Sequence, residues 1–559
     1  MKLIIIKTEP VDNKTDAFVI ENNVLYECNA TGTVIVPEGI TIIGSNVFAN
    51  KSNVTKVVLP EGLKTIETNA FFQCADLKEI NIPDSVEVIE AQAFFGCEML
   101  KKVRLPKNLK RLDVEAFTNS GIESVDLPEH PEYVGARTFS NSELNQVTIP
   151  ANFPLTVAMF EECKSLETVT FEGTDIKIPG ICFQHCRSLK GINLNVIKTV
   201  GEGGFSNCIS LDFDILPKDI RVKDNAFSEC GIKRITVEDL NSIEKAKGVF
   251  YRCCQLTEAV IEIKETNIPI DAEEIPDKLF SHCNSLEKVS FTGLTDKIKS
   301  IGQGAFAYTA LKEFKIPENV TKIGNMAFFK TKQLTEIKLP DSLNSVGKAC
   351  FQECQNLEEV TLPAKGFVVS NDMFEYCTAL KKVNNADKIV QVDDYAFYST
   401  THLKQIDLSA VAKIGKNAFA FSGLTSIKLS KCCKVLDVSA FYLCEKLKLA
   451  DLSESSIEYF PPYSFYQCTS EVILPNKIWN IGANAFTRCS IKDLTISEQN
   501  VMIDRNAFAD AKIDTLTFKD NPDSQVWISK KAFEDAFIGD LTIPDYLYNK
   551  YKNIWDNIK

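Results

Sequence analysis

A chain of 559 residues, 45% of them hydrophobic, can bury a large core, and length alone would suggest several domains of ordinary size. The formal net charge of −13 argues against a general nucleic-acid binder, because phosphate affinity comes mainly from clustered Lys and Arg, and equally against an anionic membrane surface.

The opening "MKLIIIKTEPVD" has an apolar run of only Leu3 to Ile6 before Lys7, too short for a secretory h-region. No window approaches the roughly 18 apolar residues of a membrane span, and the closing "WDNIK" holds no prenylation cysteine. These features lead us to expect a soluble chain without membrane insertion, cytoplasmic or of undetermined compartment. Residues 1–34 read as a capping hairpin, with "AFVIENNVLYEC" turning at Asn22–Asn23 ahead of the first regular strand, "TVIVP".

From residue 35 to 544 the chain repeats. "LKTIETNAFFQCADLKEINIP" (63–83) and "VEVIEAQAFFGCEMLKKVRLP" (86–106) share one frame, and its Phe anchor recurs 22 times from Phe48, Phe71 and Phe94 to Phe533, mostly 21 to 24 residues apart. A leucine follows near the sixth position (Leu77, Leu100, Leu166), then a short alternating strand such as "KEINIP" or "TEIKLP". Alternation marks a strand with one buried face, and proline ends it. A second extended piece often turns on a glycine four residues before the anchor: Gly44, Gly135, Gly201, Gly302, Gly324, Gly347, Gly415 and Gly482. Glycine there is expected to supply a positive φ. One short helical turn then closes the unit. A single unit cannot bury its apolar face but stacked neighbours can, at about 4.8 Å per strand, so the fold expected is a β-rich solenoid, a curved stack of about 22 units.

Of 19 cysteines, 13 stand three residues after an anchor, as Cys74 and Cys97 do; elsewhere that slot holds residues such as Ser120, Thr331 or Ala511. The substitutions track side-chain volume, so these cysteines read as reduced packing residues and not as disulfides. The four histidines give neither a metal site nor a catalytic constellation: His185 and His282 adjoin ladder cysteines but lie four repeats apart. No phosphate-binding glycine motif is present, and no cofactor, metal or enzymatic activity is expected.

The outward column of the strands carries mixed charges and small polar residues without an aromatic. Of its charged members, Arg104, Asp126, Lys315, Lys338, Asp407 and Lys428 are candidate partner-binding residues. A longer interval at about 259–279 reads as a solvated insertion in which Asp271, Glu273, Glu274 and Asp277 lie close together; its sharper reading is a site for calcium or a basic partner. Residues 545–559 read as one amphipathic capping helix with Leu547, Tyr551, Ile554, Trp555 and Ile558 on its apolar face.

The stretch "IGNMAFFKTKQLTEIKLPDSLNSVGKACF" (323–351) resembles the BspA-like, Treponema-type leucine-rich repeat family, and the resemblance covers roughly residues 35 to 545. It implies a non-enzymatic protein of a family that is often surface-located and includes adhesins. The function expected is thus a monomeric interaction solenoid presenting an extended surface to a protein or glycan partner. The alternative is an adhesin-like structural protein displayed at the cell surface and exported by a route not visible in the sequence.

Overall fold

The computed structural model describes residues 17–263, 273–468, 470–496, 500–520, 525–556 and 558. The chain forms two compact units, Met1–Asp271 with Cys283–Ser285, and Ala272–His282 with Leu286–Lys559. Each is a β-solenoid in which every repeat lays down two short strands, and each strand pairs with its counterpart in the next repeat.

In the first unit one ladder runs through Ile42–Ile43, Thr65–Ile66, Val88–Ile89, Arg111–Leu112 and Tyr133–Val134, and it begins on the hairpin Phe18–Glu21 and Val24–Cys28. That hairpin is antiparallel, with Asn22 and Asn23 at φ 49° and 64°; every other described pairing is parallel. The second ladder holds the alternating strands, such as Val54–Val58 on Glu79–Asn81, with Val57 buried and Lys56 exposed. The second unit repeats the plan, for example through Glu336–Lys338, Glu359–Thr361 and Lys382–Asn384.

The anchors of each unit form a column of stacked rings. Centroids are 4.7 to 6.3 Å apart from Phe48 to Phe250 and 5.0 to 6.0 Å apart from Phe280 to Phe533, with neighbouring rings nearly parallel. The rings exclude solvent completely at nearly every rung. Burying a Phe side chain is worth about 2 to 3 kcal/mol, and each rung adds it again, which makes this column the main source of stability.

The segment around each anchor differs from the expected helical turn. Asn69 and Gln73, which flank Phe71 two places before and after, have φ of 58° and 53°, and the same pair of left-handed residues recurs at nearly every rung. Two reversals of hand within five residues stop a right-handed helix from propagating. The backbone groups that a helix would pair internally bond between rungs instead: Phe71 N–H donates to Ala93 O at 2.7 Å, and Gln73 N–H to Phe95 O at 2.6 Å.

The glycines four residues before the anchor also act differently from expectation. None has a positive φ. A Cβ on Gly135 would lie 2.2 Å from Val114 N, one on Gly347 2.3 Å from Asn325 N, and one on Gly44 2.8 Å from Leu25 O. Close approach of successive rungs, and not backbone handedness, excludes a side chain there.

The cysteine slot has a chemical requirement beyond volume. Its thiol donates to the carbonyl of the preceding anchor: Cys74 to Phe48 O at 2.8 Å, Cys208 to Phe183 O at 3.1 Å, Cys354 to Phe328 O at 3.2 Å and Cys489 to Phe465 O at 3.3 Å. Thr331 makes the same bond to Phe306 O at 3.1 Å, whereas Ser142 and Ser422 bond only to the next thiol. Thr331 reaches that carbonyl through a hydroxyl while Thr309 and Thr400 donate to their own anchors, Phe306 O at 2.9 Å and Phe397 O at 2.8 Å, so the thiol makes the bond more consistently than a hydroxyl does. All 19 cysteines are reduced, and only Cys254 and Cys432 are exposed. Burial pushes most ladder thiols up, to about 11 at Cys74 and Cys163 and about 12 at Cys253 and Cys354, whereas at Cys444 burial is outweighed by hydrogen bonds from Cys468 and Ser422, which bring it down.

Of the segment 259–279, the residues through Ile263 belong to the strand Glu258–Ile263, which pairs with Arg234–Val237, and Glu274–Ile275 is a ladder strand paired with Ser300–Ile301. The segment's two ends are therefore rungs and not loop. Asp271 lies outside the described residues. The C-terminus holds two short helices, Asp545–Lys550 and Lys552–Trp555, in place of one. The break falls at Tyr551, at φ −119°, whose hydroxyl donates to Val526 O at 2.9 Å and accepts from Ile528 N–H at 3.1 Å, tying the two helices to an edge strand while its backbone N–H still donates to Leu547 O. Beside it the buried Trp555 meets Phe518 and Phe533 at 5.8 and 5.7 Å.

Candidate interaction surfaces

Alternation fixes which strand side chains face solvent, and the charged column predicted from it is exposed. In the first unit Arg104 and Asp126 stand opposite each other across a parallel pair. Arg104 is nevertheless committed to Asp84, at 2.9 Å. The Asp84 carboxylate is held below the usual carboxylate range by the Lys107 N–H and by Arg104.

In the second unit Lys315 and Lys338 line one groove of about 750 Å³ with Ser290, Glu313, Glu336 and Glu359. Asp407 and Lys428 line another, of about 980 Å³, with Asn384, Asp451 and Glu454. The Lys428 ammonium is 2.9 Å from Glu454, which raises its pKa, and Asp407 accepts from Ser409 N–H at 2.9 Å. Glu273 and Glu274 are exposed, and Asp277 accepts from Gln303 N–H at 2.7 Å. Among the described residues the second unit's column lines these two mixed-charge grooves. Exposed pairs such as Lys381–Glu358 and Lys382–Glu359, both at 2.9 Å, neutralise much of it and add at most about 1 kcal/mol each.

Sequence reasoning missed the turn edge of the second unit. There Tyr376, Tyr398, Phe421, Tyr442, Tyr463 and Tyr466 form an unbroken aromatic ladder outside the core. Successive centroids are 5.4, 5.3, 5.6 and 6.2 Å apart from Tyr376 to Tyr463, all edge to face, and Tyr466 stacks on Tyr442 at 5.2 Å. Tyr395 joins it beside Tyr398, at 5.7 Å. Tyr376, Phe421 and Tyr463 are 40%, 38% and 39% exposed. At one end of the ladder lie Asp372 and Glu375. Both carboxyls are pushed up, first by partial burial; Asp394 adds to this at Asp372, and Asp372 and Glu353 add to it at Glu375. Lys348 partly offsets the shift at Asp372, Gln352 donates to Glu375, and Lys330 is 3.3 Å from Glu353.

The signal for this surface lies in composition: seven of the 14 tyrosines fall between Tyr376 and Tyr466. They occupy different offsets from their anchors, so reading one column at a time does not align them. A second apolar patch, on the short-strand ladder, holds Tyr459 and Trp479 stacked at 5.5 Å, with Met502 and Trp527 opposite each other across the next pair. Trp479 and Trp527 are about half exposed.

Among the described residues no group of three His, Cys, Asp or Glu side chains could hold a metal ion. No helix there is long and apolar enough to cross a membrane.

Two parallel ladders, a column of stacked anchors and hydrogen-bonded turns in each unit define a leucine-rich repeat solenoid. The family model for the BspA type leucine-rich repeat region matches residues 18–145, 132–257, 221–334, 249–381, 322–448, 367–473 and 439–559. The chain belongs to that family, whose members are generally protein-interaction or surface proteins and are generally non-enzymatic. Among solved structures it is similar to a leucine-rich repeat protein from Bacteroides ovatus, at 26% identity over 66% of this chain and 96% of that one, with a TM-score of 0.49. It is also similar to a leucine-rich cell surface protein from Faecalibacterium prausnitzii, at 18% identity over 67% and 95%, with a TM-score of 0.34. A leucine-rich repeat protein from T. pallidum matches at 16% over 44% and 79%, with a TM-score of 0.26. The comparison with curated proteins finds no match.

Proposed function

We propose that this chain is a non-enzymatic binding protein whose repeats hold an extended surface for a protein partner. The observation that carries the reading is the set of exposed aromatic side chains, Tyr376, Phe421, Tyr463, Trp479 and Trp527, on a backbone fixed by hydrogen bonds from rung to rung. Rigid aromatics give up little entropy on contact, and Tyr and Trp dominate protein-binding hot spots. The strand-face residues Arg104 and Asp126 in the first unit, and Lys315, Lys338, Asp407 and Lys428 in the second, then supply polar contacts of their own that set register and exclude wrong partners. Affinity capture with the intact chain tests this: a saturable complex with a defined protein is expected, and its absence across extracts and surface fractions of the cells that make the chain would overturn the reading.

The family's typical location favours a second reading, display at the cell surface as an adhesin-like protein. Labelling intact cells with a membrane-impermeant amine reagent should then modify the chain's exposed lysines. Labelling only after lysis would reject display.

A further inference from the structure

We infer that the turn-edge aromatic ladder of the second unit is a docking surface for a cationic segment of a protein partner, one bearing Arg and Lys side chains. The inference rests on the protein-binding reading above and names the surface and the charge of its occupant.

The first argument is the backbone. The turn positions two before and two after nearly every anchor are left-handed, a conformation that Gly and Asn adopt at least cost and that bulky residues avoid. Among the described residues every Tyr or Phe with a positive φ lies in the second unit: Tyr308, Tyr376, Tyr395, Phe421 and Tyr463, at 56° to 62°. Four of these five belong to the ladder. Rings at such positions strain the backbone by about as much as their edge-to-face contacts return, so the stability of the fold does not account for them. Strained residues that recur at one surface mark function.

The second argument is charge. Asp372 and Glu375 adjoin Tyr376, and among the described ion pairs neither has a Lys or Arg partner within 4 Å. Glu353 and Asp394 press further negative charge on them; Lys348 acts on Asp372, while Lys330 is taken up by Glu353 and the Lys416 N–H by Asp394. An arriving guanidinium or ammonium would relieve the repulsion between the carboxylates and could lie on the adjoining Tyr faces, the arrangement that cation–π attraction and charge-assisted hydrogen bonds favour together. A polyanion would meet the opposite field, and a neutral glycan would leave the carboxylates unneutralised.

The test uses the full chain and labelled nona-arginine, with nona-glutamate and maltoheptaose as competing probes, at physiological salt. Tyr376→Asn/Phe421→Asn should weaken nona-arginine binding at least tenfold while the Tm holds or rises, because Asn suits the left-handed backbone. Asp372→Asn/Glu375→Gln should weaken it similarly. A charge-matched control in the first unit, Glu98→Gln/Glu143→Gln, should change it less than twofold. Retained binding by the aromatic variant, a lowered Tm in that variant, or a wild type that prefers either competing probe or binds none of the three overturns the inference. A captured natural partner that the aromatic variant still holds overturns it while leaving the binding reading intact; failure of the unaltered chain to capture any partner overturns that reading instead.

Discussion

At five successive rungs of the first unit the residue two places after the anchor is Asn50, Gln73, Gly96, Asn119 and Asn141; at five successive rungs of the second it is Tyr376, Ser399, Phe421, Leu443 and Gln467. All ten share one left-handed backbone. The first unit meets that requirement with residues that tolerate it and links them, Asn141 Nδ2 donating to Asn119 Oδ1 at 2.7 Å. The second accepts a cost on the order of 1 kcal/mol per bulky residue and exposes the side chains. The interior of the repeat is shared and its turn edge is free to differ. A surface that departs from the cheapest solution points to selection for contact.

The widest divergence between the units should appear in base. Burial raises the ladder thiols of the first unit, so each of them contributes stability that is complete below the unfolded thiol pKa near 8.5 and is lost as pH climbs toward the folded value, at about 1.4 kcal/mol per pH unit per thiol. The first unit stacks Cys163, Cys182, Cys186, Cys208, Cys230 and Cys253 over neighbouring rungs, all raised first by burial. The corresponding slots of the last rungs of the second unit hold Ala511 and Ala536. Hydrogen exchange between pH 8.5 and 10.5 should show protection lost first around residues 160–253, with rungs 508 and 533 holding longest. Uniform loss would mean that thiol ionisation does not govern alkaline unfolding.

Smaller, and equal in the two units, is the cost of removing an anchor. Phe94 and Phe397 are both fully buried between stacked neighbours, at 4.9 Å from Phe71 and Phe117 and at 5.4 and 5.2 Å from Phe374 and Phe419. Phe94→Ala and Phe397→Ala should each destabilise by about 3 to 5 kcal/mol in urea titration, with fraying confined to neighbouring rungs. A marked inequality would show that the interiors differ as the edges do.

The anchors were legible because every rung buries the same ring in the same place, and strand alternation was legible because one face of each strand meets that column. The glycines near the anchors were visible but misread: their residue type signals both handedness and close approach, and only the 2.2 Å gap at Gly135 separates the two. The left-handed positions were hidden because they hold Asn69, Glu115, Ile181 and Tyr463 alike. The charged strand column followed from period-two alternation, whereas the aromatic ladder has no fixed offset in sequence and depends on how neighbouring turns stack. The thiol slot looked volumetric because a serine and a cysteine differ little in size. The bond to the preceding anchor distinguishes them, so Cys208→Ala should cost about 1 to 2 kcal/mol by losing the bond to Phe183 O, and Cys208→Thr should recover part of that, as Thr331 makes the equivalent bond while Thr309 and Thr400 bond their own anchors. Equal Tm values for the two variants would return the slot to volume alone.

The smallest expected effect tests the premise of the comparison. Ile181 sits in the first unit two residues before Phe183 with φ 50°, the only β-branched residue at a described positive-φ position. Its branched Cβ makes this the costliest exception to the tolerant residues around it. It is only partly buried, and the adjacent rung has Gly203 where a Cβ would approach Ile181 to 3.2 Å. Ile181→Asn should therefore raise stability by about 1 kcal/mol, because relief of strain outweighs the apolar burial given up. Phe421→Asn in the second unit should fall nearer to zero, because the same relief is offset by its edge-to-face contacts with Tyr398 and Tyr442 at 5.3 and 5.6 Å, about 0.5 to 1.5 kcal/mol each. Paired urea midpoints separate the outcomes. If Ile181→Asn destabilises, left-handed strain is not what distinguishes the two edges, and the aromatic ladder must be explained by packing within the second unit alone.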